Sequence, residues 1–175
     1  MKQVRTLRPG LLYFAYGCNM DPDFLSGLLS LELQPGWPAR LDGWRLAFNK
    51  GGEGESGNLV VANVVEEVGC STYGVVYRLP REALSVLDDF EETPEHYRRA
   101  TVWVEPVGRQ ARQVAEIYLG QPSWLVAEGP PDPAYLELLV RGARRHDLPR
   151  GYIAWLQRSA AGDVAGCYRR AERSG

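Results

Sequence analysis

What the sequence has little of narrows its chemistry first. In 175 residues there are two histidines, His96 and His146, and three scattered cysteines, Cys18, Cys70 and Cys167. No Cys-x-x-Cys and no histidine pair at helical spacing is present, which leaves a structural zinc site without support. No Gly-x-Ser-x-Gly elbow is present either, and a serine triad would have to enlist one of the two histidines. Neither sign of charge dominates: 20 Lys and Arg against 22 Asp and Glu give a net −2. Nothing therefore advertises nucleic acid or an anionic membrane as partner. No apolar run approaches the ~18 residues of a spanning helix. Residues 1–8 are basic, but the apolar stretch 11–15 behind them is too short for a signal peptide. The odd cysteine count fits free thiols in a reducing compartment, and the expected location is cytoplasmic. No linker, repeat or low-complexity tract divides the chain, whose length fits one domain over residues 1–175, monomeric or homodimeric.

What is present is a series of short strand-like runs followed by helices. Residues 11–16 form an apolar run that stops at Gly17, consistent with a buried strand. Asp21 before Pro22 is a helix start, an oxygen cap followed by a proline whose missing N–H costs nothing there. Phe24, Leu25, Leu28 and Leu29 then make one apolar face. Trp44, Leu46 and Phe48 alternate with polar or small neighbours as a half-buried strand. Residues 58–65 and 73–79 read as two more strands, and Pro80 opens a helix carrying Leu84 and Leu87. Residues 97–105 and 113–119 flank Gly108 as a hairpin. The prolines at 130–133 precede a helix with Tyr135, Leu138, Leu139 and Gly142, and a shorter helix carries Tyr152, Trp155 and Leu156. Strands interleaved with a few helices and tight turns predict a mixed α+β fold whose sheet curls into a barrel.

Three places could carry chemistry. Residues 51–57 contain the spacing Gly-x-Gly-x-x-Gly, but they open a strand rather than a helix and hold two acids that would repel phosphate. A loop between strands is the better reading. Tyr16-Gly17-Cys18-Asn19-Met20 is different, because an apolar strand ends there and a capped helix begins at once. Such a turn aims backbone N–H groups and the positive end of a helix dipole at one point, suited to a carboxylate or an oxyanion. A plain strand–helix connection is the alternative. The third place is Asp88-Asp89-Phe90-Glu91-Glu92, four carboxylates at a helix end whose dipole disfavours them. Solvated surface acids are the common explanation. Phe90 and the spacing of Leu84, Leu87 and Glu91 nevertheless put Glu91 near the buried face, where a raised pKa suits a general acid or base.

These motifs together resemble the γ-glutamylcyclotransferases and the related γ-glutamylamine cyclotransferases. Tyr16-Gly17-Cys18-Asn19-Met20 is similar to that family's opening Tyr-Gly-Ser-Asn-Leu/Met turn. Leu87-Asp88-Asp89-Phe90-Glu91, after Tyr73-Gly74-Val75-Val76-Tyr77, is similar to its Leu-Asp-x-x-Glu-Gly signature. Tyr97 matches a later tyrosine, and Pro131-Asp132-Pro133-Ala134-Tyr135 matches a Pro-x-Pro-x-Tyr helix start. Gly142-Ala143 and Leu148-Pro149 recur in the family's order. The resemblance runs from about residue 11 to about residue 155. It implies a small closed or nearly closed β-barrel with flanking helices, Glu91 as the catalytic residue, the Tyr16–Met20 turn as ligand cradle, and Tyr97 and Tyr135 as pocket residues. Two departures stand out: Cys18 replaces a serine and so offers a weaker donor, and Glu92 replaces a glycine.

The chemistry implied is release of 5-oxoproline from a γ-glutamyl amide by its own α-amine, a small-molecule reaction needing no metal, cofactor or covalent intermediate. A fixed intramolecular attack has an effective molarity of ~10⁵ M or more, and one carboxyl can take the ammonium proton and return it to the leaving nitrogen. Two other readings stay open: a thiol enzyme using Cys18, and a non-catalytic binder of γ-glutamyl or other acidic small molecules on the same fold. Dipeptides, γ-glutamyl-ε-lysine and γ-glutamylated intermediates share the same reacting end, and the sequence leaves the leaving amine open.

Overall fold

The structure, a computed structural model, describes residues 10–52, 59–109, 111–159 and 166–169. Five strands close into a barrel in the order β1-β3-β2-β4-β5. β1 (Leu11–Ala15) pairs antiparallel with β3 (Val60–Leu79), which pairs with β2 (Trp37–Gly51); β4 (Tyr97–Pro106) joins β2 to β5 (Gln113–Gly120). A parallel contact, Tyr13 opposite Glu116, shuts the barrel between β1 and β5. Closure removes the exposed edge that a five-stranded sheet would otherwise present to other chains. Four helices flank it: α1 (Pro22–Leu29), α2 (Ala83–Phe90), α3 (Pro133–Arg145) and α4 (Arg150–Ser159). The mixed fold and the barrel agree with the sequence reading. Among the described residues no helix is long and apolar enough to cross a membrane.

Two strand boundaries differ from expectation, both for one reason. β2 begins at Trp37, seven residues before the alternation at Trp44, and residues 58–65 and 73–79 belong to one long β3. Pairing between them skips from Asp42 opposite Ser71 to Trp44 opposite Glu66, so residues 67–70 face Gly43 alone. Gly43 takes φ +80, which a glycine adopts at no steric cost. The exposed residues of this bulge read in sequence as a loop. Of the glycine-rich stretch at 51–57, residues 53–58 lie outside the described residues.

The cysteines also correct an expectation. Cys70 and Cys167 form a disulfide with Cα atoms 5.4 Å apart, and Cys18 is free. The odd count concealed a pair separated by 97 residues, a contact that sequence spacing cannot reveal. Next to it, Tyr168 packs on Tyr73, Tyr152 and Trp155, and its carbonyl accepts from the Ser71 amide.

The helices are placed by caps and close packing. Asp21 accepts from the Phe24 amide to start α1, and Asp132 accepts from the Ala134 and Tyr135 amides to start α3. Each cap contributes ~1 kcal/mol. α3 lies against the turn between β1 and α1 because Gly142 has no side chain. A Cβ there would stand 2.5 Å from the Met20 carbonyl carbon and 2.6 Å from the Asp21 amide nitrogen. The fully buried Asp21 carboxylate bonds Arg141 of the same helix. Burial works against its charge, but Arg141 and the Phe24 amide hold its pKa below the usual value. Helix α2 is anchored by Leu87, which is fully buried, and by Phe90, whose ring packs edge-on against Phe24 of α1.

Candidate functional site

A cavity of about 190 Å³ opens where the β1–α1 turn, the end of α2, the barrel strands and the start of α3 meet. Its walls include Tyr13, Tyr16, Gly17, Cys18 and Asn19 from the first turn, Glu91 from the end of α2, Lys50 and Tyr97 from the barrel, and Tyr135 from α3. Residues more than a hundred positions apart thus face one space. Of the residues singled out in sequence, Tyr16, Gly17, Cys18, Asn19, Glu91, Tyr97 and Tyr135 all line it. Met20 does not. It is fully buried beneath the turn, where its carbonyl accepts from the Tyr77 hydroxyl.

The turn is a single 3₁₀ turn, Cys18–Met20, in which the Met20 and Asp21 amides bond the Gly17 and Cys18 carbonyls. Buried Asn19 joins the turn to α2: its side-chain amide donates to the Tyr13 hydroxyl at 2.9 Å and to Glu91 Oε1 at 3.2 Å. Glu91 caps the C-terminal end of α2, and its own amide bonds the Leu87 carbonyl. The cavity gives Glu91 a little solvent, but protein surrounds the rest of it. Loss of hydration pushes its carboxyl up to about 7, while Lys50's positive charge and the Asn19 hydrogen bond pull the other way. A carboxyl balanced near neutrality can both take and return a proton.

The other three acids of the cluster have separate fates, which distinguishes them from Glu91. Asp88 accepts from the Tyr118 hydroxyl and from Arg99, both at 2.7 Å, and serves the barrel wall. Asp89 is exposed. Glu92 turns outward to His96, 2.6 Å from Nδ1. Glu92 also has φ +50, a left-handed conformation, so the position where the family resemblance expects glycine does ask for glycine's freedom. Glu91 was expected near the buried face; its neighbour Phe90 is 40% exposed, and Leu87 is the fully buried anchor of that face.

Cys18 carries a thiol, not a thiolate. Burial and the neighbouring Glu91 push its pKa up to about 12, against a weaker opposing pull from the Cys18 and Asn19 amides. The tyrosines are held in place by backbone: Tyr16 donates to the Tyr118 carbonyl, Tyr97 donates to the Ala62 carbonyl, and Tyr135 accepts from the Ala62 amide. Burial pushes all three phenols well above their usual pKa, so they are neutral at physiological pH.

Residues 71–156 match the AIG2-like family. A solved gamma-glutamyl cyclotransferase superposes over 95% of this chain and 92% of its own, with TM-score 0.74 and 22% identity. The chain has the γ-glutamylcyclotransferase-like fold. YkqA from Bacillus subtilis is 28% identical, with TM-score 0.74, over 93% of this chain and 57% of that one. A yeast gamma-glutamyl cyclotransferase specific to glutathione shares the fold at TM-score 0.63 and 14% identity, over 88% of this chain and 96% of its own. No curated protein matches the sequence.

Sequence reasoning missed Tyr13, Tyr118, Lys50 and His96 as cavity residues. Tyr13 had no distinguishing signal, because Tyr13, Phe14 and Ala15 are all buried and alternation along β1 does not single one out. Lys50 had none, because an irregularity in pairing between Phe48 and Lys50 decides where that side chain emerges.

Proposed function

We propose that the protein is a cyclotransferase that converts a γ-glutamyl amide to 5-oxoproline and a free amine or amino acid. The observation that carries this reading is Glu91, a carboxyl held by Asn19 at a tyrosine-lined cavity with its pKa raised to about 7. In the free protein near neutrality a good share of Glu91 is ionised, and it accepts a proton from the substrate's α-ammonium. The freed amine attacks the γ-carbonyl, closing a five-membered ring. Protonated Glu91 then returns the proton to the departing nitrogen, because an amide anion is too basic to leave; ionised again, it takes the second proton that the attacking nitrogen sheds as the lactam forms and passes it to the released amine. This acid–base relay contributes ~10²–10⁴-fold. The rest comes from holding one conformer: the tyrosines are bonded to the backbone and the Cys18–Met20 turn is pinned by α3, so the cavity keeps its shape without a ligand. A nucleophilic Cys18 is disfavoured by its raised pKa, since the thiolate is the reactive form.

The test is incubation with a panel of γ-glutamyl compounds differing only in the leaving amine, with 5-oxoproline as readout. Release from at least one member, undiminished in Cys18→Ser, is expected. No release from any member, with γ-glutamyl ligands still bound, would make the protein a binder on this fold.

A further inference from the structure

The tyrosines that line the cavity spend their hydroxyl protons in different ways. Tyr16 donates to the Tyr118 carbonyl, Tyr97 to the Ala62 carbonyl, and Tyr118 to Asp88. Tyr13 and Tyr135 instead accept: the Asn19 side-chain amide donates to Tyr13 at 2.9 Å, and the Ala62 amide donates to Tyr135 at 3.0 Å. The protons of these two hydroxyls meet no acceptor among the described residues. Tyr135 stands at Gly17, where its hydroxyl would lie 3.2 Å from an added Cβ. Tyr13 stands beside Glu91, because Asn19 bonds both.

Asn19 also sets how far apart the two groups are. One side-chain nitrogen donates to Tyr13 at 2.9 Å and to Glu91 Oε1 at 3.2 Å. Its two hydrogens diverge by about 120°, which puts the phenol and carboxyl oxygens about 5 Å apart. Tyr13 is 3% exposed, and its ring packs edge-on against Tyr118, which holds it in place. Burial, and then the charge of Glu91, push the phenol well above its usual pKa against the pull of the Asn19 bond, so Tyr13 keeps its proton. Resting on the cyclotransferase reading, we infer that Tyr13 is a further catalytic residue, whose hydroxyl donates to the γ-carbonyl oxygen of the substrate. As the α-amine attacks, one electron pair of the C=O bond moves onto that oxygen, and the hydrogen bond strengthens with the growing charge. When the bond to the leaving nitrogen breaks, the pair returns and C=O forms again. Tyr13 transfers no proton, so it takes nothing from the Glu91 relay. The spacing of about 5 Å lets each group lie about 3 Å from its own reacting atom, the amine nitrogen at Glu91 and the carbonyl oxygen at Tyr13.

The experiment is the pH dependence of 5-oxoproline release by Tyr13→Phe on the best γ-glutamyl compound of the panel, with urea denaturation to establish that it folds. The variant should lose at least about tenfold in kcat, approaching the roughly 10²–10³ of one oxyanion-hole donor. The acid limb of its kcat/KM should keep the wild-type midpoint, because the Asn19 bond to Glu91 stays in place. A positioning role has a different signature. Asn19, deprived of its acceptor, would let go of Glu91, and the limb would move upward, since that bond holds the Glu91 pKa down. A loss of less than about tenfold, or any loss with that upward move, overturns the inference and leaves the cyclotransferase reading standing. A wild-type protein that releases no 5-oxoproline from any member of the panel overturns both. Should Tyr13→Phe fail to fold, 3,5-difluorotyrosine in place of Tyr13 keeps the hydroxyl and the Asn19 contact while making a stronger donor. A rise of about twofold or more in kcat then upholds the inference, and an unchanged or lower kcat overturns it.

Discussion

Glu91→Gln should make the protein more stable, and more so as pH rises. Burial raises the Glu91 carboxyl from an ordinary 4.5 to about 7, so the folded state holds its proton where the unfolded chain has lost it. Stability then falls with pH between those two values, because the folded state binds more protons there. This contribution to wild-type stability is complete below 4.5 and gone above 7. Each pKa unit is worth about 1.4 kcal/mol, and the cavity's solvent trims the total, which leaves about 2–3 kcal/mol. Glutamine is nearly isosteric and its oxygen can still accept from Asn19, so it keeps the contact without the buried charge. Urea denaturation of both proteins at pH 4 and pH 8 measures the effect. The advantage of Glu91→Gln over wild type should grow by about 2–3 kcal/mol from the lower pH to the higher. An advantage that is absent or unchanged between the two would mean that Glu91 is a solvated acid, and the argument from burial would collapse.

Further expectations concern the rate and the scaffold. The acid limb of kcat/KM for 5-oxoproline release should have its midpoint near pH 7, and higher in Lys50→Met, which removes a charge that holds the Glu91 pKa down. A limb near 4.5 contradicts this. Gly142→Ala should cost about 1–3 kcal/mol in denaturation and lower kcat/KM by tenfold or more, because α3 must retreat from the turn that bears Asn19. Unchanged stability and rate would show that the contact is slack. Cys18→Ser should keep kcat/KM within about tenfold of wild type, and a loss beyond a hundredfold would restore the thiol as nucleophile.

The parts of the fold legible in sequence were those set by local chemistry. Asp21-Pro22 and Asp132-Pro133 each combine an acceptor with a proline, and both open helices as read. The β4–β5 hairpin around Gly108 followed from two β-branched runs and one turn glycine. Glu91 was legible because it lies four residues from Leu87, one helical turn from a buried anchor. What escaped depends on partners far away in the chain. Asp88 differs from Glu91 only through Tyr118 and Arg99 on neighbouring strands. Lys50 reaches the cavity through a pairing irregularity, and Cys70 finds Cys167 through the packing of Tyr168 on Tyr73 and Tyr152. Met20 was placed in the cradle by motif, but the turn that presents Asn19 to the cavity buries its neighbour beneath.

The central claim is that Glu91 moves the proton, and its most direct test is the rate of 5-oxoproline release by Glu91→Gln on the best substrate of the panel. Asp88→Asn, Asp89→Asn and Glu92→Gln serve as companions, since they neutralise the same charge within four positions. The account predicts a fall in kcat of roughly 10²–10⁴ for Glu91→Gln alone, with the fold intact and far smaller changes in the companions. Wild-type turnover by a folded Glu91→Gln protein would contradict it.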